Sequence, residues 1–347
     1  MKNNKSKLEE LKRNWLSFNE FKAKYQKAEV TEYPNNVLEN IPEPLVSVRI
    51  TTYQHAEYIR YAIEGVLMQQ TDFPFEIIIG DDESSDGTRE ICKEYAEKYP
   101  EKIRLFLHRR ANNIKIMGKP THLFQYTYNS FQLRGKYVAG CSGDDYWTDP
   151  LKLQKQYEFL SKNQEYSYCY HSWAQIYNGE HFTSNVNVNH TCRIITVMCK
   201  NVFDKIPPEF LKTMQEDVFL YQILALEGEK QYIDEIKPGI YRIHGKNLWD
   251  SGNELHKLQN SLNTFKQILK VFYSTKLEKE LKEKIIKYSV SLLFYKLSKN
   301  RSLTPITEFL KEISNYKLYK YFPFIFKIVM LKFYNIIKAY LLKGINY

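Results

Sequence analysis

Two acidic doublets, Asp81-Asp82 and Asp144-Asp145, each follow a run that reads as a buried strand, FEIIIG before the first and KYVAG shortly before the second. Paired carboxylates at a strand end suit a hard divalent cation, because Mg2+ or Mn2+ takes one or two of them and fills its shell with water and phosphate oxygens. In an open α/β sheet the ligand crevice lies beyond the carboxyl ends of the strands, so both doublets are expected to face one crevice. Capping explains part of the first cluster, since Ser84, Ser85 or Asp86 ahead of an apolar helix satisfies free N–H groups. We assign that task to Asp86, which leaves Asp81 and Asp82 without a capping role. A solvated turn is the plain alternative for Asp144-Asp145, but a strand precedes it and Trp147 and Pro150 follow it. Neither GxGxxG nor GxxxxGK[ST] occurs in the chain. Neutralising a diphosphate would therefore fall to metal and basic side chains, which argues against dehydrogenases and P-loop enzymes alike.

The elements that must hold these groups follow from hydrophobic periodicity. Strand patterns over 45–52, 75–80, 102–108 and 136–140 alternate with helical ones over 56–70, 86–98 and 121–131. That order predicts an α/β class with a mostly parallel sheet covered by helices on both faces. After Asp149-Pro150 a helix is expected over 151–162, then short strands over 166–173 and 193–198, a helix over 217–226, and strands over 231–233 and 239–244. Upstream, Leu8, Leu11, Trp15, Phe18 and Phe21 recur at helical spacing, which predicts one amphipathic helix over 5–28 as an appendage. From about residue 254 every segment reads as helix. The expected division is 1–43 for the appendage and linker, 44–253 for the α/β domain and 254–347 for a basic helical region.

Charge is unevenly distributed over the 347 residues, whose formal net charge is +10. Residues 257–347 hold 18 Lys and Arg against five Asp and Glu, a net of +13, so the part bearing the acidic doublets is slightly negative. A nucleic-acid binder places its basic stripe on its recognition fold, so no nucleic-acid partner is expected. Apolar runs fall far short of the ~18 residues that a membrane span requires. The N-terminus lacks a signal-peptide core, and the five cysteines form no CxxC pair, so reduced thiols and a cytoplasmic location are expected.

VSVRITTYQHAEYI, FEIIIGDDESSDGT and GKYVAGCSGDDYWTDPLKLQKQ, in this order, resemble the family 2 glycosyltransferases, inverting nucleotide-sugar enzymes with the GT-A fold. The third segment is similar to a bacterial surface-polysaccharide subgroup, and the resemblance spans about residues 44–250. It implies that Thr51 and Tyr53 line the nucleotide pocket, with Tyr53 on the base and Asp82 accepting a hydrogen bond from it. It further implies that Asp144, with Asp145 beside it, binds Mn2+ or Mg2+ and through it the diphosphate. Ser142 departs from the pattern, since an acidic residue usually opens that motif. Asp217 in MQEDVFLYQILALEG matches the general base, and a single displacement needs one carboxylate to take the acceptor's proton. A helix-dipole role for Glu216 and Asp217 is the structural alternative. GIYRIHGKNLW is similar to the family's YRxH segment, which offers His244 to diphosphate or metal, with Arg242 and Lys246 adding charge. His55 has no comparable context. Lys119 and the Arg109-Arg110 pair are candidate phosphate contacts, and Trp249 is a candidate sugar platform.

The implied activity is transfer of a sugar, UDP-sugars being favoured, to a hydroxyl of a glycan or lipid-linked glycan in bacterial polysaccharide assembly such as capsule or O-antigen. The alternative is a catalytically inactive relative that binds sugar nucleotide or glycan, for which Ser142 speaks. Beyond Ile313 the chain has six Lys and no acid. On a helix opened by Pro323, Phe322, Phe326, Val329, Met330, Phe333, Ile337, Tyr340 and Leu341 share one face and the lysines another. That pattern suits an anionic membrane surface, giving a peripheral enzyme on the inner face of the cell membrane. A helix docked on the enzyme or on a second subunit stays open, and so does a homo-oligomer.

Overall fold

The computed structural model describes residues 2–34, 43–177, 188–245, 253–299 and 304–343. Two compact units divide the chain: residues 1–211 with 216–247, and residues 212–215 with 248–347.

The first unit is built on a sheet of order β1-β4-β3-β2-β7-β11-β8-β12. Its strands are β1 (Thr31–Glu32), β2 (Val46–Thr52), β3 (Phe75–Asp81), β4 (Ile103–Leu107), β7 (Tyr137–Ser142), β8 (Tyr166–Tyr170), β11 (Met198–Lys200) and β12 (Glu229–Tyr232). Strands β4, β3, β2 and β7 run parallel, with Thr51 paired to both Gly80 and Ser142, so their carboxyl ends share one edge. Strands β1 and β11 run antiparallel to their neighbours. Every residue of β3 is buried, as expected of a strand covered on both faces. Helix α3 (Ile59–Leu67) buries Ile59, Ala62, Ile63 and Val66, spaced at three and four residues, in the core with Val48, Ile50 and Ile77. Burying each such side chain stabilises by about 1.5–3 kcal/mol, so this face fixes the helix on the sheet. Helices α4 (Thr88–Lys98), α5 (Leu123–Phe131), α6 (Lys152–Lys162) and α7 (Glu216–Glu227) complete the layers. This is the expected α/β architecture of the GT-A type.

Local corrections have identifiable causes. The single helix expected over 5–28 is two, α1 (Lys2–Lys12) and α2 (Phe18–Tyr25), because Ser17 and Glu20 form a capping box that starts a new helix. The segment expected as an appendage is built into the first unit: Phe21 is fully buried and stacks on Phe124 at 5.2 Å, and β1 extends the edge of β4. The strand expected over 166–173 splits into β8 and β9 (Trp173–Tyr177). Strand β9 leaves the main sheet for a small one of order β10-β9-β13, with β10 (Val188–Asn189) and β13 (Gly239–Ile243). The strand expected over 193–198 is a 3-10 turn, Ile194–Thr196, followed by β11. A two-strand ribbon, β5 (Lys115–Ile116) with β6 (Lys119–Pro120), precedes α5.

The second unit is helical: α8 (Glu254–Phe272), α9 (Glu278–Lys299), α10 (Thr304–Asn315) and α11 (Phe322–Lys343). Asn253 caps α8 by accepting from the His256 N–H at 2.9 Å, and Lys266 of α8 pairs with Glu312 of α10 at 2.6 Å. Among the described residues no helix is long and apolar enough to cross a membrane. The four described buried cysteines, Cys92, Cys141, Cys169 and Cys199, are free thiols, as is the half-buried Cys192.

Candidate active site

Loops leaving the parallel strands are stitched to one another before any site group is placed. Gln54, in the left-handed region at φ 56°, donates its N–H to Ser84 Oγ and accepts the Ser85 N–H at 2.8 Å. The next two amides are held from the β3 turn: His55 N–H by Thr88 Oγ1 at 2.8 Å and Ala56 N–H by Asp86 Oδ2 at 3.0 Å. Asp86 also accepts the Thr88 N–H, but Gly87, in the left-handed region, is the cap residue of α4, so the capping task expected of Asp86 gives way to a loop-to-loop task. The result is a fixed position for the His55 side chain beyond the carboxyl end of β2.

That position faces the turn after β7. Asp144 Oδ2 lies 3.1 Å from His244 Nε2 and 3.9 Å from His55 Nε2. One donor atom from each of the three residues falls within 4.8 Å of the others, a carboxylate and two imidazoles from three separate loops. Gly143 permits this approach, because a Cβ there would meet Thr52 Oγ1 at 2.5 Å and His55 Nδ1 at 2.8 Å. Burial opposes ionisation of Asp144, but the hydrogen bond with His244 and the charges of both imidazoles hold it below its usual range. Burial also lowers the His55 pKa, which favours the neutral ring that ligates metals. A carboxylate with two imidazoles is a donor set that fits a divalent ion.

Asp145 is a correction to the sequence expectation of a second carboxylate beside Asp144. It is buried and accepts the Arg242 N–H at 3.0 Å, tying the turn to β13. Burial, then the neighbouring Asp144, pushes its pKa well above the ordinary value. Asp145 is thus a brace, and His55, which carries no sequence signal, stands in the cluster instead. Arg242 is surrounded by Tyr58, Tyr61 and Tyr146, each ring between 5.1 and 5.6 Å from its guanidinium.

The doublet after β3 divides its labour similarly. Asp81 is fully buried and pairs with Arg89 at 2.5 Å. Asp82 Oδ2 accepts from Asn113 at 2.8 Å and Arg110 at 3.0 Å, while its buried Oδ1 has no hydrogen-bond partner. Burial raises the Asp82 pKa to about 6 despite these donors. The Arg110 guanidinium lies 3.9 Å from the centroid of the half-exposed Tyr53 ring. Arg110 and Arg109 are thereby engaged, the latter with Glu83 at 2.9 Å. Thr51 ends the β2 side of the crevice and its carbonyl accepts the Gly143 N–H at 2.9 Å. Lys119 stands exposed on the β5–β6 ribbon, apart from this cluster. Trp249 and Lys246 lie outside the described residues.

Glu216 and Asp217 open α7. His122, another residue without a sequence signal, donates from Nε2 to Glu216 Oε1 at 2.9 Å. Burial works against a charged His122, but Glu216 outweighs it and raises the imidazole pKa, while the same pairing lowers that of Glu216. Asp217 is pushed up to about 6, first by burial and then by the charge of Glu216. The His122 charge also acts on Asp82, and the Arg193 charge acts on both Asp145 and Asp217. Through His122 and Arg193 the three doublets therefore share electrostatic neighbours.

Residues 47–214 match the sequence model described as Glycosyl transferase family 2. A Mycobacterium tuberculosis protein described as uncharacterized is 32% identical over 222 residues, covering 59% of this chain and 61% of that protein. This chain thus matches about three-fifths of that relative's length. The minor teichoic acid biosynthesis protein GgaA of Bacillus subtilis is 29% identical over 126 residues, 35% of this chain and 26% of that one. A crystal structure of S. aureus TarS residues 1–349 in complex with UDP-GlcNAc has a TM-score of 0.53 at 16% identity, over 78% of this chain and 80% of the other. At that identity the likeness speaks for the fold alone.

Proposed function

The chain belongs to glycosyl transferase family 2 through residues 47–214, and from that premise we propose that it is an inverting transferase moving a sugar from a nucleoside diphosphate to a glycan hydroxyl. The observation that carries this reading is the His55/Asp144/His244 donor set just beyond the carboxyl ends of the paired strands β2 and β7. Asp82 Oδ1, buried and unpartnered, is the acceptor for an N–H of the base, which suits the imide of uracil, and the open face of Tyr53 receives the base plane. His55, Asp144 and His244 would hold the divalent ion, and two imidazoles favour Mn2+ over the oxygen-seeking Mg2+. When bound, the ion supplies charge neutralisation to the departing diphosphate.

Asp217, near pKa 6, is ionised at neutral pH and a stronger base than an ordinary aspartate. It takes the proton of the acceptor hydroxyl as that oxygen bonds to the anomeric carbon, and the bond from that carbon to the diphosphate oxygen breaks on the opposite face. Glu216, held by His122, keeps its negative charge beside Asp217 and so sustains that basicity. The relative named for teichoic acid biosynthesis supports a surface-polysaccharide acceptor. His55 restores to the cluster the ligand that Ser142 does not offer, which weighs against the inactive-relative alternative.

For the tail, we propose attachment to an anionic membrane surface through α11, where Phe322, Phe326 and Met330 are exposed at four-residue steps with Lys327 also exposed. Flotation with vesicles that contain phosphatidylglycerol, lost at high salt, is the expected result.

The transferase reading is tested with a panel of nucleoside diphosphate sugars, measuring binding and slow donor hydrolysis with Mn2+, Mg2+ or chelator. The expected pattern is metal-dependent binding that Asp144→Ala abolishes, and hydrolysis that Asp217→Ala abolishes while binding persists. No binding of any donor under any condition sinks the reading.

A further inference from the structure

The small sheet has two unlike faces. Alternation along β9 and β13 puts Ala174, Ile176 and Ile240 on one side, all fully buried with Tyr146 packed against them. The other side carries Trp173, Gln175 and Tyr177 from β9, and Tyr241, which is in register with Gln175. On this second side Tyr177 is 54% exposed, and Gln175 donates to its hydroxyl at 3.0 Å.

Arg193 lies across that face. Its guanidinium is 4.2 Å from the centroid of Trp173 and 4.0 Å from that of Tyr241, and Trp173 is itself anchored by its indole N–H to Thr191 Oγ1 at 3.0 Å. Two aromatic contacts fix the plane of the guanidinium without using its donors. Among the described residues no carboxylate forms an ion pair with Arg193. It is half-buried, and its charge bears on both Asp145 and Asp217, whereas Arg242 alternates to the opposite face of β13. A planar fork of N–H donors, held between rings and paired with no carboxylate among the described residues, is built to take a carboxylate or phosphate bidentately. The exposed tyrosine and the glutamine amide beside it supply the ring face and the hydrogen bonds that a sugar needs.

We propose that this face is the acceptor platform and that Arg193 selects an anionic acceptor, a glycan bearing a carboxylate or phosphate near the hydroxyl to be glycosylated. The proposal rests on the transferase reading and deepens it by naming the acceptor class.

The test compares the full chain with Arg193→Gln and Arg193→Lys, using methyl β-glucuronide, glucose 6-phosphate and neutral methyl β-glucoside as probes in titration calorimetry or NMR. Wild type is expected to bind the two charged probes at least 10-fold more tightly than the neutral one. Arg193→Gln is expected to erase that difference, and Arg193→Lys to keep only part of it, because an ammonium keeps charge but not the bidentate plane. Thermal unfolding and UDP-GlcNAc affinity in Mn2+ are measured on the same samples, and both are expected to stay at wild-type values in each variant. No charge preference in wild type, a preference that survives Arg193→Gln, or an equal loss of UDP-GlcNAc binding in Arg193→Gln each overturns the proposal. Because the probes report binding, their failure is separable from failure of the transferase reading, which appears as absence of metal-dependent nucleotide-sugar binding in wild type.

Discussion

The turns after β3 and β7 begin from the same sequence feature, an acidic doublet at the carboxyl end of a parallel strand, and end in different chemistry. After β3, arginine and asparagine surround the carboxylates, and Asp82 is left with one oxygen to offer. After β7, imidazoles surround Asp144, and the cluster is a donor set that fits a divalent ion. In both turns one member is committed to the scaffold, Asp81 to Arg89 and Asp145 to the Arg242 amide, and its neighbour meets a different set of partners. The doublet opening α7 repeats the division, with Glu216 tied to His122 and Asp217 beside it. Two adjacent carboxylates repel, so a fold keeps both only by giving one a partner of its own. The other partner type, guanidinium or imidazole, then decides what the working carboxylate can do.

Breaking the working member of the α7 doublet is expected to have the largest effect. Asp217→Asn should lower the transfer rate by about 10²–10⁴ with donor affinity unchanged, measured by single-turnover kinetics beside nucleotide titration. In the parent enzyme the rate should rise with pH through about 6, because the base is useful only once its proton is gone. A flat profile from pH 5 to 8 would remove Asp217 from this role.

Next come the imidazoles of the β7 cluster. His55→Gln or His244→Gln should weaken Mn2+ affinity by at least the ~10- to 100-fold that lesser changes near metal sites cost, read by competition with a chelator. An unchanged affinity in His55→Gln would reduce the cluster to Asp144 and His244. Within the β3 doublet the two carboxylates should separate by assay. Asp82→Asn, which removes an acceptor oxygen's charge, should weaken donor binding by roughly 10-fold. Asp81→Asn, which strands the Arg89 charge, should instead cost about 3–5 kcal/mol of stability in denaturant unfolding. The smallest expected effect is that of Asp145→Asn on metal affinity, less than about 3-fold, since the amide oxygen can still accept the Arg242 N–H. A loss as large as that of Asp144→Asn would return Asp145 to the ligand set.

Legibility followed the reach of the interactions. The strands of the parallel half were readable because each is a short buried apolar run whose neighbours in sequence are its neighbours in space. Asp82, Asp144 and Asp217 were readable because strand ends and helix starts are marked locally. His244 was read from its YRIH context, and it joins Asp144 across 100 residues of chain. His55 and His122 carried no local mark, since His122 meets Glu216 only across 94 residues and His55 meets Asp144 only once β2 and β7 are adjacent. Arg193 was invisible for the same reason: its two rings come from strands that pair with each other and not with its own segment.

By itself, the sequence determined an α/β order of elements and which carboxylates stand at strand ends and helix starts, because backbone periodicity and burial act over a few residues. Only the tertiary structure decided which member of each doublet is tied to the scaffold, that imidazoles complete the β7 cluster, and that an arginine lies clamped on the small sheet. Those outcomes depend on which partner the folded chain brings to within a few ångströms, and neither composition nor spacing encodes that distance.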